Sequence, residues 1–238
     1  MAKAQEFVHL HVHSHYSLLN AIPKIPELVE AAVADKQTAL ALTDGGNLYG
    51  AIEFYKTCTK RGLKPIIGVD FYVAPRTRHD KEHRIDNYTR RLVLLAKDKA
   101  GYGNLLKLVS ASYIEGFYYR PRIDRELIEK HSEGLLAIFP SFSAPTSVYL
   151  KDGAPEKASE TARWYHSVFG DDLYLEIAHH PEIPGHDELV KNINALSKET
   201  GIPLVAAHDV YYLKKADNLA RELVRKIQSG THLAGDEA

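Results

Sequence analysis

The stretch Gly62-Leu63-Lys64-Pro65-Ile66-Ile67-Gly68-Val69-Asp70 carries the signals from which the fold is read. Gly62 follows a segment of helical spacing and stops it, and Pro65 opens the next element. Ile66 to Val69 are apolar without alternation, the pattern of a strand buried on both faces. Asp70 stands where that strand runs out. The same unit recurs along the chain, predicting strands over residues 7–12, 38–43, 65–69, 92–96, 135–139, 173–177 and 203–207. Helices are expected between them over 25–36, 51–61, 102–113, 156–169 and 187–200, with a last one from about 216 to 228. Residues 73–90 hold Pro75 and many charges but no apolar period, and read as a loop or a lid over one strand. Seven units in 238 residues leave about 34 each, close to the ~30 or more that a βαβ unit consumes. A parallel sheet is therefore expected. No Gly-x-Gly-x-x-Gly follows the first strand, which with the length favours a distorted seven-stranded α/β barrel over an open doubly wound sheet. One domain over 1–238 is expected, with 216–238 forming the last helix and the start of a connection onward, and His232 to Ala238 reading as a cut end.

Composition narrows the function classes. Thirty basic residues against 31 acidic ones give a net charge of −1, which argues against the broad basic field of a protein that grips nucleic acid alone. Cys58 is the single cysteine, so an intrachain disulfide and a Cys-based zinc cluster are both excluded, and Cys58 reads as a packing residue. No run approaches the ~18–20 apolar residues of a membrane span, and Met1 to Glu6 do not form an apolar signal segment. The cytoplasm is the expected compartment. The anomaly is histidine, 13 of 238 residues, with His9, His11, His13 and His15 packed together.

Polar groups gather where the strands end, at the mouth where barrel enzymes build their sites. They are His11 and His13, Asp44, Asp70, and His208 with Asp209. Residues two apart on a strand share a face, so His11 and His13 are placed to chelate one zinc, manganese or iron ion, with His9 further down. A His-x-His alone does not establish a metal site. Asp44-Gly45-Gly46-Asn47 reads equally as a turn, Asp209 as a cap for the helix or turn after it, and Ala178-His179-His180-Pro181 as a solvated loop.

Several motifs carry a resemblance. His9-Leu10-His11-Val12-His13-Ser14 with Tyr16 to Leu19, Leu42-Thr43-Asp44 with Gly46 to Gly50, and Lys64 to Asp70 resemble the PHP (polymerase and histidinol phosphatase) domain of bacterial DNA polymerase III alpha subunits. Leu94 to Lys97 with Gly101 to Leu105, Glu133 to Leu135, Tyr174 to Glu176, and Pro203 to Ala206 with Asp209 continue it in order. The resemblance covers nearly the whole chain and implies a distorted barrel of seven βα units.

Active members of that family hold a metal cluster, and carrying the ligand positions over gives a damaged site. His11, His13 and Asp209 match. Asp70 stands for a glutamate, Asn20 for an aspartate, Ser141 for a cysteine, and Gly45, Arg91 and Tyr211 for histidines. Glycine has no donor atom and arginine brings a positive charge toward cations. On this reading no multi-metal site survives. His11, His13, Asp70 and Asp209 are left to hold at most one weakly bound zinc or manganese ion. Arg91 is expected to replace metal in a salt-bridge network with Asp44, Asp70 and Asp209; His15 and His208 lie near the mouth, but strand alternation turns His208 away from the face of Asp209, and a rebuilt site is not expected.

The resemblance implies a catalytically silent domain that supports the polymerase body and binds the separate proofreading exonuclease subunit. The parent subunit would be a DNA-directed DNA polymerase using magnesium, with DNA as its partner, and the fragment alone would not polymerise. The alternative is a metal-dependent phosphoesterase or 3′–5′ exonuclease using His11, His13, Asp70 and Asp209. The stretch Arg76, Arg78, Lys81, Arg84, Arg90 and Arg91 offers a third reading, direct DNA contact.

Overall fold

A computed structural model describes residues 7–229 of the chain. The elements in order are α1 (Ile25–Ala34), β1 (Ala39–Leu42), α2 (Ala51–Lys60), β2 (Lys64–Val73), β3 (Arg90–Ala96), α3 (Lys99–Ile114), β4 (Arg122–Ile123) and α4 (Arg125–Lys130). There follow β5 (Leu135–Phe139), α5 (Pro145–Lys151), α6 (Pro155–Phe169), β6 (Leu173–Ile177), α7 (His186–Thr200), β7 (Leu204–Ala206) and α8 (Asn218–Ser229). The expected cut end at 232–238 and the leader at 1–6 lie outside the described residues.

The strands form one curled sheet in the order β1-β2-β3-β5-β6-β7, with the short β4 pairing β2. Alternation along each strand sorts its side chains into two layers. Leu92 and Leu94 of β3, Phe139 of β5 and Leu173 and Leu175 of β6 pack outward under the helices. Val93, Leu95 and Ile138 pack inward, joined by Ile66, Leu136, Tyr174 and Val205. Both faces are thus buried, which is why these strands read as continuous apolar runs. A third cluster seats α1 and α2 on Leu40 and Leu42 through Ile25, Val29, Phe54 and Cys58.

Two expectations are corrected. The sheet is not wholly parallel: β3 runs antiparallel to both β2 and β5. Parallel neighbours need a crossover element, and residues 74–89 contain neither helix nor strand, so the chain simply turns back along β2. The N-terminal strand expected over 7–12 is reduced to a single bridge between Val12 and Val210. His9 O and Val12 O accept from Ala41 N and Thr43 N at 2.9 and 2.8 Å, so three residues on one side span two on the other, a bulge. Thr43 Oγ1 takes up the displaced Val12 N–H at 2.9 Å. On the other side His11 O and His13 N pair with the backbone of Val210 at 3.0 and 2.9 Å. This segment joins β1 to the chain just past β7 and closes the mouth of the barrel.

The loop at 74–89 is pinned rather than loose. Arg122, with no exposed surface, donates to the carbonyls of Arg78, Asp80, Asp86 and Gly116 at 2.9–3.0 Å. Arg78 pairs with Asp124, Glu115 and Glu126, and Arg76 with Asp86 and Glu82. These pairings neutralise Arg76 and Arg78, two members of the basic stretch considered for DNA contact. No helix among the described residues is long and apolar enough to cross a membrane.

Candidate functional site at the barrel mouth

The inward-facing positions that continue above the apolar layer are polar. On β2, Ile66 packs into the interior and the same alternation carries Asp70 and Tyr72 to the mouth. Arg91 lies two residues before Val93 on β3, opposite Tyr72, and its guanidinium sits 4.4 Å from the Tyr72 ring centre. Glu176 follows Tyr174 on β6. Asp209 and Tyr211 come from the chain beyond β7, and His11 and His13 from the bulged segment.

These groups converge. His11 Nε2 is 3.1 Å from Asp70 Oδ2 and 3.5 Å from Asp209 Oδ1. His13 Nε2 is 3.0 Å from Asp209 Oδ1 and 3.5 Å from Asp70 Oδ2. The other nitrogen of His11, Nδ1, meets Glu176 Oε2 at 2.9 Å, and His13 Nδ1 meets Ser17 Oγ at 3.2 Å. Arg91 closes the group from the β3 side: its Nε donates to Asp70 Oδ1 at 2.9 Å and its Nη2 to Asp70 Oδ2. Tyr211 stacks on His13 with ring centres 4.4 Å apart and planes 3° from parallel, and the Arg221 guanidinium covers its far face at 3.9 Å.

The electrostatics follow from these contacts. Burial acts to raise the Asp70 carboxyl, but Arg91 and then His11 hold it down at about 2. Burial acts in the same sense on Asp209, and His11, His13 and Arg91 outweigh it and keep it well below the usual carboxylate range. For His11, burial disfavours the charged ring, while Asp209, Glu176 and Asp70 together raise its pKa well above the ordinary histidine value. Arg91 and the His11 ring, with its raised pKa, thus offset part of the charge of three carboxylates.

This arrangement does not fit a multi-metal cluster. A Cβ added at Gly45 would lie 3.3 Å from the Tyr72 hydroxyl and 3.8 Å from Arg91 Nη2, so the space beside that position is taken by a phenol and a cation. The donor set that remains is small. One ligand atom each from His11, His13 and Asp70 falls within 4.8 Å of the others, close enough for a single ion. His13 Nε2 and Asp209 Oδ1 are buried and make no aligned hydrogen bond, which leaves two donors facing that point. Against them stands the bidentate hold of Arg91 on Asp70, which a cation would have to displace.

The other expected positions fall around this centre. Ser141 is buried and binds Glu176 twice, its N–H to Oε1 at 3.1 Å and its hydroxyl to the backbone oxygen at 2.8 Å. Asn20 lies in the turn after Ser17, its carbonyl accepting from Arg221 Nε at 3.2 Å. Asp44 requires a correction, since it takes no part in a network with Arg91. Its oxygens accept from Ser14 N, Ser14 Oγ and Ser17 Oγ at 2.7, 2.7 and 2.6 Å, so it ties the turn at 14–17 to the end of β1. His208 stacks on His180 with ring centres 4.4 Å apart. Arg91's ion-pair partner is Asp70. Sequence reasoning missed Glu176 and Ser17; a lone carboxylate inside the apolar run Leu173-Tyr174-Leu175-Glu176-Ile177 was the available signal for the first.

Comparison with known proteins agrees with this fold. The family model described as PHP domain matches residues 9–180. DNA polymerase III subunit alpha of Borreliella burgdorferi is 41% identical over 97% of this chain, that of Treponema pallidum 43% over 92%, and that of Thermus aquaticus 37% over 100%. The chain spans about a fifth of the length of these relatives. Among solved structures, a candidate metal-dependent phosphoesterase from Bifidobacterium adolescentis superposes with a TM-score of 0.60 at 10% identity, over 93% of this chain and 97% of that one. An amidohydrolase from Chromobacterium violaceum, solved with sulfate and without metal, gives 0.52 at 13% identity over 91% and 96%. Those structural likenesses carry the fold alone. With the family model matching residues 9–180, most of its length, the chain belongs to the PHP domain family.

Proposed function

We propose that the chain is the PHP domain of a DNA polymerase III alpha subunit whose own metal site is catalytically silent. Its work is structural support of the polymerase body and binding of a separate proofreading exonuclease subunit, in the cytoplasm, with magnesium and DNA handled by the rest of the subunit. The single observation that carries this reading is the clamp of Arg91 on Asp70. A fixed guanidinium there neutralises the carboxylate that a metal would need, and it cannot deprotonate at any physiological pH. The similarity to polymerase subunits over 92–100% of the chain supports the assignment to the larger protein. Two measurements test it: metal content of the purified chain with nuclease activity in zinc and manganese, and co-elution with the exonuclease subunit. The expected results are substoichiometric metal, no nuclease activity and a stable complex.

One observation favours a second reading, a phosphoesterase or 3′–5′ exonuclease with a reduced site. His13 Nε2 and Asp209 Oδ1 face each other at 3.0 Å, both buried and both without an aligned hydrogen bond. With His11 and Asp70 they could hold one zinc or manganese ion. Stoichiometric metal, and an activity abolished by His13→Ala, are the results expected on that reading.

A further inference from the structure

Arg90 and Arg91 are adjacent on β3, so their side chains leave opposite faces of the sheet. Arg91 enters the barrel mouth. Arg90 lines a separate cavity of about 380 Å³ on the outer face, between the start of the 74–89 loop, α5 and α6. Arg76 and Arg125 line it too, and no aspartate or glutamate does. Arg76 is neutralised by Asp86 and Glu82. Arg90 and Arg125 have no carboxylate partner among the described residues; Arg125 rests over the Trp164 ring at 4.6 Å. The cavity thus presents two unneutralised guanidinium groups.

Its wall adds neutral donors. Thr161 and Tyr165 are 6% and 1% exposed, both line the cavity, and neither hydroxyl hydrogen-bonds another protein group among the described residues. Both oxygens stay open to the cavity rather than sealed in the core, so they are available to a bound group. Tyr165 is held rigidly, edge-on to Phe139 and Trp164 with ring centres 4.8 and 4.7 Å away. Burial pushes its phenol up, so it remains a neutral donor. Tyr149 supplies a further aromatic wall.

We infer that this cavity is a binding site for a phosphate group, taken by Arg90 and Arg125 with Thr161 and Tyr165 as hydroxyl donors. Planar guanidinium forks match phosphate oxygens, and hydroxyls complete the set without adding charge. The volume lies at the low end for small-molecule sites, room for a phosphate with a small organic group beside Tyr149. The ligand class is a phosphate monoester or free phosphate. The site is independent of the barrel mouth and of whether metal binds there.

The test is titration of the 238-residue chain with inorganic phosphate and with a nucleoside 5′-monophosphate at constant ionic strength, read by calorimetry. Saturable binding is expected, weakened about 10-fold or more in Arg90→Gln and in Arg125→Gln, and unchanged in Arg163→Gln, which lies outside the cavity. Binding of the nucleotide alone, or of both, assigns a monoester site; binding of inorganic phosphate alone assigns a free-anion site. If Arg90→Gln loses its cooperative melting transition, Arg125→Gln and Thr161→Val decide. No saturable binding by the unmodified chain, or equal binding by folded cavity variants, overturns the inference.

Discussion

Arg91 grips both oxygens of Asp70 from the neighbouring strand, its Nε lying 2.9 Å from Oδ1. Asp70 is 1% exposed, so the pair is a buried one in which removing either partner strands the other. Arg91→Ala is expected to destabilise the chain by roughly 3–5 kcal/mol, measured by urea unfolding. A loss below about 1 kcal/mol, the range of surface pairs, would mean that Asp70 is solvated in solution.

The same clamp sets metal affinity. Arg91→His removes the competing cation and adds an imidazole beside Asp70, His11 and His13. Zinc affinity is expected to rise about 10-fold or more, followed by competition with a chromogenic chelator. Unchanged affinity would show that Arg91 is not what keeps a cation out.

Much of the fold was legible in the sequence. β5 and β6 occupy the residues their apolar runs mark, because burial on both faces removes polar positions from a strand. The direction of β3 was not legible, since side-chain alternation is the same for either direction; only the missing helix in 74–89 signalled it. The segment at 7–12 reads as a strand yet forms one bridge, because a bulge and the Thr43 hydroxyl replace ladder bonds that no residue pattern records. His11, His13, Asp70 and Asp209 were marked by their places at strand ends, and Arg91 was found only through the family position it occupies. Asp44 was misassigned because a carboxylate that binds serines and one that binds arginine look alike in sequence.

Arg122 was not anticipated at all, although it organises the charged loop. Its four donations to backbone carbonyls of residues 78, 80, 86 and 116 have no substitute. Arg122→Ala leaves those acceptors unpaired, at roughly 1–3 kcal/mol for each that water cannot reach. Rapid tryptic cleavage within 74–89 is expected, against resistance in the unmodified chain. Equal resistance would contradict the role given to Arg122.

That loop should also be the acid-sensitive part of the molecule. The hydrogen bond from Arg76 chiefly, with the Glu82 N–H, holds the Asp86 carboxyl below its ordinary value of 3.8. A carboxyl lowered on folding stabilises above its unfolded pKa, and that contribution fades as pH falls through the folded value. Proteolysis of 74–89 by an acid protease is therefore expected to accelerate below about pH 4, and Asp86→Asn to flatten that dependence. A profile identical in the variant would assign the acid sensitivity elsewhere.

On the proposed reading, Arg91 takes the electrostatic place of a metal cluster at this barrel mouth. The most direct test is the metal content of the chain after equilibration with zinc and manganese, measured by mass spectrometry alongside 3′–5′ exonuclease activity on single-stranded DNA. Less than one ion per chain, and no activity above that of His13→Ala, is the predicted result. Two or more tightly held ions per chain, with DNA degradation abolished by His13→Ala, would contradict it.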